Sequence, residues 1–149
     1  MTQRMRLNES APEAYQGFVE VAKAIKAGPL AVKLQELIKI RASQLNGCAY
    51  CVDLHTRDAR RFGEPEDRIH HLTVWRESPL YDDAERAALA YTEAVTRREP
   101  VTDELWSTLN DHFDEKEVAN VVALVSLINA LNLIGVPLRM RPPNRTSAA

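Results

Sequence analysis

The sequence predicts an all-α fold. Three observations carry that reading. Apolar residues recur at the 3.6-residue helical period, strand-like alternation never persists, and only five glycines and eight prolines punctuate the chain. From about Pro12 to Ala27, the residues Tyr15, Phe18, Val19, Ala22 and Ile25 form one stripe of a first amphipathic helix. Gly28-Pro29 interrupts it, and proline suits the first turn of a second helix that runs to Asn46. Leu30, Leu34, Leu37, Ile38, Arg41 and Leu45 follow its period, and Asn46-Gly47 is a C-cap signal. A third helix is expected from about Cys48 to Phe62, closed by Gly63. Glu64-Pro65-Glu66-Asp67 then opens a short helix with its acidic residues at the positive end of the dipole.

The second half uses the same grammar. Asp82-Asp83-Ala84-Glu85 begins a helix with Ala87, Ala88, Tyr91 and Val95 inward. Thr102-Asp103-Glu104 begins another that carries Leu105, Trp106 and Leu109 towards Phe113. The last helix, from about Glu115 to Ile134, is apolar nearly all round, with Ser126, Asn129 and Asn132 as a polar stripe. Those two asparagines are expected to line a pocket or, as the preferred alternative, to hydrogen-bond across a subunit contact.

A length of 149 residues fits one domain over residues 1–149, with a loosely ordered tail from about 140 to 149. The net charge of -2 and pI near 6.1 give no reason to expect a nucleic-acid partner. The apolar runs are expected to fall short of a membrane span, and the basic N-terminus lacks the apolar run of a signal peptide. A cytoplasmic, reducing compartment is therefore expected, where two cysteines three residues apart point to catalysis or metal binding rather than a structural bridge.

Cys48 and Cys51 are i and i+3, and Cys51 and His55 are i and i+4, so one helical face carries all three. Cys48 falls at the predicted helix start, where unpaired N–H groups and the dipole favour a thiolate. Glu36 lies 11 residues before Gly47 and His55 lies 8 after it. In an antiparallel hairpin, a rise of ~1.5 Å per residue brings the two within roughly 5 Å of the same height. A carboxylate there can orient the imidazole and hold a proton for it. Zinc is disfavoured, because only Cys48, Cys51 and His55 are locally available; no metal and no cofactor are expected. His70, His71 and His112 are read as surface or capping residues.

The pattern Glu-x11-Cys-x2-Cys-x3-His between two helices resembles the core motif of the alkylhydroperoxidase AhpD-like group of the carboxymuconolactone decarboxylase superfamily. Gly63–Ile69, Trp75-Arg76-Glu77-Ser78, the segment Glu85–Ala94 and the Asn129-x2-Asn132 helix ending at Gly135 extend the likeness over roughly residues 30–140. The resemblance implies that Cys51 attacks a peroxide, that Cys48 resolves it, and that Glu36 and His55 form a proton relay. It also implies an external dithiol or lipoyl-type reductant and a helical homo-oligomer, often a trimer or hexamer. The chain departs from the well-studied peroxidases at Tyr50, where they carry a second histidine just before the second cysteine. Three other functions stay open at this level: general thiol–disulfide exchange, lactone decarboxylation, and a non-catalytic oligomeric module. The decarboxylase branch works without a CxxC pair, which argues against it here.

Overall fold

The computed structural model describes residues 2–143 and contains helices and turns but no strand among them. A single turn, α1 (Leu7–Ser10), precedes α2 (Pro12–Lys26), α3 (Val32–Asn46), α4 (Ala49–Arg61) and α5 (Glu66–His71). A 3-10 turn, Leu72–Val74, leads on to α6 (Asp83–Arg97), α7 (Asp103–His112) and α8 (Glu115–Gly135). Most of the expected tail, 144–149, lies outside the described residues.

The helix starts follow from their caps. Asp82 and Asp114 each accept the backbone N–H of a glutamate three residues on, and that glutamate returns a bond to the cap backbone. Thr102 caps α7 through the Leu105 N–H. The second helix begins later than expected, at Val32, because Gly28-Pro29-Leu30 forms a bend rather than a first turn. Asn120 of α8 holds that bend: its amide donates to Ile25 O at 3.1 Å and its oxygen accepts from Leu30 N at 3.3 Å. Gly28 is required beneath it, since a Cβ there would stand 2.5 Å from Asn120 Nδ2. Asn120→Ala strands two backbone groups, so a loss of about 1–3 kcal/mol is expected, read as a lower urea midpoint at unchanged slope.

α3 is the central helix and packs against α4, α6 and α8. One cluster joins Leu34 and Ile38 of α3 to Ala88 and Tyr91 of α6 and to Val121, Leu124 and Val125 of α8. A second joins Leu37 and Ile40 to Ala59, Leu72, Trp75 and Leu89. Trp106, expected inward, is 43% exposed and meets the Tyr91 ring at its edge instead.

One expectation about α8 needs correction. Val118–Gly135 is an uncharged run of membrane-spanning length after all, yet half of it is buried inside the fold. Contacts with α2, α3, α4, α6 and α7 cover its buried half, while Ala119, Ala123, Ser126 and Leu133 stay exposed. Asn129 lines a pocket with Thr96 and Leu133, one of the two expected alternatives, and both asparagines also bond within the chain. Both accept from Asn46 Nδ2, at 2.8 and 2.9 Å, and Asn132 donates to Ser43 Oγ at 3.0 Å. α8 thereby fixes the end of α3, where the cysteine hairpin begins.

Candidate active site

Gly47 ends α3 with φ 70°, a left-handed conformation that glycine adopts without a Cβ penalty. The Gly47 and Cys48 N–H groups bond back to Gln44 O and Ser43 O, which turns the chain directly into α4. Cys48, the expected first helical position, is the N-cap of α4, which starts one residue later at Ala49, and its Sγ accepts the Cys51 N–H at 3.3 Å. Cys48 and Cys51 are joined by a disulfide with Cα atoms 5.3 Å apart. Both are buried.

The antiparallel hairpin places Glu36 and His55 together as the helix arithmetic required. His55 Nδ1 lies 3.0 Å from Glu36 Oε2, with 12% and 3% of the two side chains exposed. The carboxylate can only accept, so it takes a bond from Nδ1–H and turns Nε2 of a neutral imidazole into the proton-accepting nitrogen. Lys39, three residues on from Glu36, donates to Oε1. Burial on its own raises the Glu36 carboxyl pKa; the His55 bond and the Lys39 ammonium outweigh it and hold the group below the ordinary carboxylate range. Glu36 is therefore an anion that holds the Nδ1 proton on the side of the histidine facing it.

Glu36, His55, Leu54 and Asp58 form one wall of a cavity of about 320 Å³, and Phe18 and Ala22 of α2 with Leu124 and Leu127 of α8 form much of the rest. The cavity is mainly apolar, and its polar lining includes the Glu36–His55 pair with Lys23, Lys26, Gln35, Lys39 and Asp58. Among the described residues no hydrogen bond joins His55 to either sulfur in this oxidised state. The structure brings together Glu36 with His55 and Cys48 with Cys51, but it does not link the two pairs.

Lys39 and Asp58 were missed at the sequence level. The i,i+3 relation of Lys39 to Glu36 was available as a signal. Glu36, His55 and Asp58 offer ligand atoms within 4.8 Å of one another, the best-placed group for a cation among the described residues. Lys39 already neutralises Glu36 there, and Asp58 pairs with Arg61. Half-buried Tyr50 stands beside the pair and makes no side-chain hydrogen bond among the described residues. Asp53 and Arg57 form the expected i,i+4 pair at 3.6 Å.

The comparisons agree with this architecture. The carboxymuconolactone decarboxylase family pattern matches residues 12–94, a span that includes all four motif residues. The uncharacterized Bacillus subtilis protein YdfG is 38% identical over 97% of this chain and the whole of its own length. A crystal structure of an Agrobacterium tumefaciens protein of unknown function, described as a candidate antioxidant defence protein AhpD, superposes with a TM-score of 0.93. It is 34% identical, over 97% of this chain and 100% of that one. The debrominase Bmp8 shares the fold alone, with a TM-score of 0.80 at 22% identity over 88% of this chain and 72% of its own. With its helical hairpin, its cysteine pair and these relatives, the chain belongs to the carboxymuconolactone decarboxylase family, in its AhpD-like branch.

Proposed function

We propose that the protein is a thiol-dependent peroxidase of the alkylhydroperoxidase type, with Cys51 as the attacking sulfur and Glu36–His55 as its proton relay. The observation that carries the reading is a buried disulfide pair one helical turn from a buried carboxylate–imidazole pair on the same hairpin. In the dithiol form Cys51 is released from Cys48 and can turn along the α4 face towards His55, four residues on. His55 Nε2 then takes the thiol proton, and Glu36 stabilises the imidazolium. The thiolate attacks the peroxide O–O bond, giving a Cys51 sulfenic acid and an alcohol that collects the relay proton. Cys48 condenses with the sulfenic acid, releasing water and forming the disulfide. The apolar cavity beside His55 suits the organic part of the peroxide.

One observation favours a second reading. The helix N-terminus donates to Cys48, not Cys51, an arrangement that suits a nucleophile for general thiol–disulfide exchange. The reduced protein distinguishes the two when mixed with cumene hydroperoxide or with oxidised glutathione. The peroxidase reading expects one alcohol released per Cys48–Cys51 disulfide, counted by mass spectrometry of non-reduced digests. Oxidation by glutathione disulfide with inert thiols towards peroxide would replace it with the exchange reading.

A further inference from the structure

A separate cavity of about 220 Å³ opens on the cysteine pair and shares no lining residue with the one at Glu36 and His55. Cys48 and Ala49 lie on one side of it, and Gly135, Val136 and Met140 on the other. Gly135 keeps it open: a Cβ there would sit 3.0 Å from Cys48 Sγ and 3.7 Å from Cys51 Sγ. Two arginines, Arg139 and Arg141, complete the lining, which contains no carboxylate. Among the described residues neither guanidinium meets an acidic partner.

The chain beyond α8 is built to stay there. The Leu138, Arg139 and Met140 N–H groups bond back to Ile134 O, Val136 O and Gly135 O. The N-terminal strand of chain clamps the turn from outside, Arg4 donating to Leu138 O and Pro137 O. Arg139 adopts φ 56°, a left-handed conformation that a side chain bearing a Cβ seldom takes. Such outliers persist where the surrounding structure determines them, and they gather at functional sites.

We infer that this cavity admits a small, carboxylate-bearing thiol that reduces the disulfide at Cys48. The inference rests on the proposed redox role of the pair and adds the face and the charge class of the reductant. The volume suits a thiol of few atoms or the end of a slender arm, and the two guanidiniums suit a carboxylate. The cavity touches Cys48 and not Cys51, so an incoming thiolate meets Cys48 Sγ first. It forms a mixed disulfide there while the S–S bond breaks and its electron pair leaves on Cys51. A second thiol attacks the reductant's own sulfur and releases Cys48, so two thiols become one disulfide and their two protons remain with Cys48 and Cys51. Reduction by this route leaves Cys51 as the freed sulfur beside the relay. The reductant thus approaches through a cavity separate from the one beside Glu36 and His55.

The test uses the oxidised protein with 3-mercaptopropionate, 2-mercaptoethanol and cysteamine, which are anionic, neutral and cationic. Protein thiols released are counted by alkylation and mass, and rates are expressed per thiolate and corrected for thiol basicity. The expected order is anion, neutral, cation, with an anion-to-cation ratio of about tenfold or more at low ionic strength that shrinks in salt. In Arg139→Gln/Arg141→Gln the ratio is expected to fall to near unity. Gly135→Ala should slow all three thiols, and the ratio within the arginine variant stays decisive should that variant pack poorly. A wild-type ratio near unity, or a ratio that survives loss of both arginines, overturns the inference. Failure of the peroxidase reading is a different result, seen when peroxide leaves the reduced thiols untouched whatever the ranking of reductants.

Discussion

Glu36→Gln is expected to slow oxidation of the reduced protein by peroxide by about 10²–10⁴-fold, the usual range for loss of a general-base function. The amide can still accept from His55 Nδ1–H, so the helical hairpin has the means to keep its shape. It cannot stabilise an imidazolium, and so His55 Nε2 loses basicity. His55→Asn should lose a similar factor, and the double variant little more, because a relay acts as one unit. The pH profile separates this from damage to the fold. On the proposed relay the wild-type rate should depend on proton transfer to His55, whereas a variant without it should follow the ordinary titration of an unassisted thiol, about 8.5. Stopped-flow oxidation across pH 5–9, with circular dichroism to confirm equal helix content, makes the measurement. A wild-type rate and profile in Glu36→Gln would return Glu36 to a structural carboxylate bound to Lys39 and His55.

The part of this site that could be read from the sequence is the part built from one hairpin. Glu36, Cys48, Cys51 and His55 occupy 20 consecutive residues, and a single glycine in the left-handed region fixes the turn between them. Helix rise and periodicity then determine who meets whom. The rest depends on partners with no local signal. Asn46 meets Asn129 and Asn132 from 83 and 86 residues away, and a polar stripe on an apolar helix reads equally well as an interface. Gly135 looks like an ordinary helix terminus until Cys48 is found against it. The charge-free length of α8 has the same origin: half of it is buried against five other helices, and only the packing tells such a helix from a membrane span.

Glu93, on α6, is expected to matter most for stability, and its partner Arg41 lies on α3, the helix that carries Glu36. The Glu93 carboxylate accepts from Arg41 Nε at 2.7 Å, Trp75 Nε1 at 2.9 Å, Arg76 Nη2 at 2.8 Å and Arg97 Nη1 at 3.0 Å. Arg76 and Arg97 are about half exposed, so water screens their share. Arg41 is 10% exposed at its side chain and has no comparable carboxylate to turn to. Glu93→Ala leaves that guanidinium and the indole N–H buried without their acceptor, at a cost of about 3–5 kcal/mol. For a domain of this size the melting temperature should fall by about 10 °C or more. Burial pushes the Glu93 carboxyl up, but the Trp75 and Arg41 bonds more than reverse it, so the folded group titrates below an ordinary glutamate. Its stabilising effect is then complete above about pH 4.3, the unfolded value, and is lost as pH falls through the lower folded one. Urea midpoints measured from pH 7 to 3 should therefore drop on the acid side for the wild type. The same limb should be flatter for Glu93→Gln, which has no charge left to lose. Equal acid limbs in the two proteins would place the sensitivity on other carboxylates, with Glu36 the next to test because it too is held below its ordinary value.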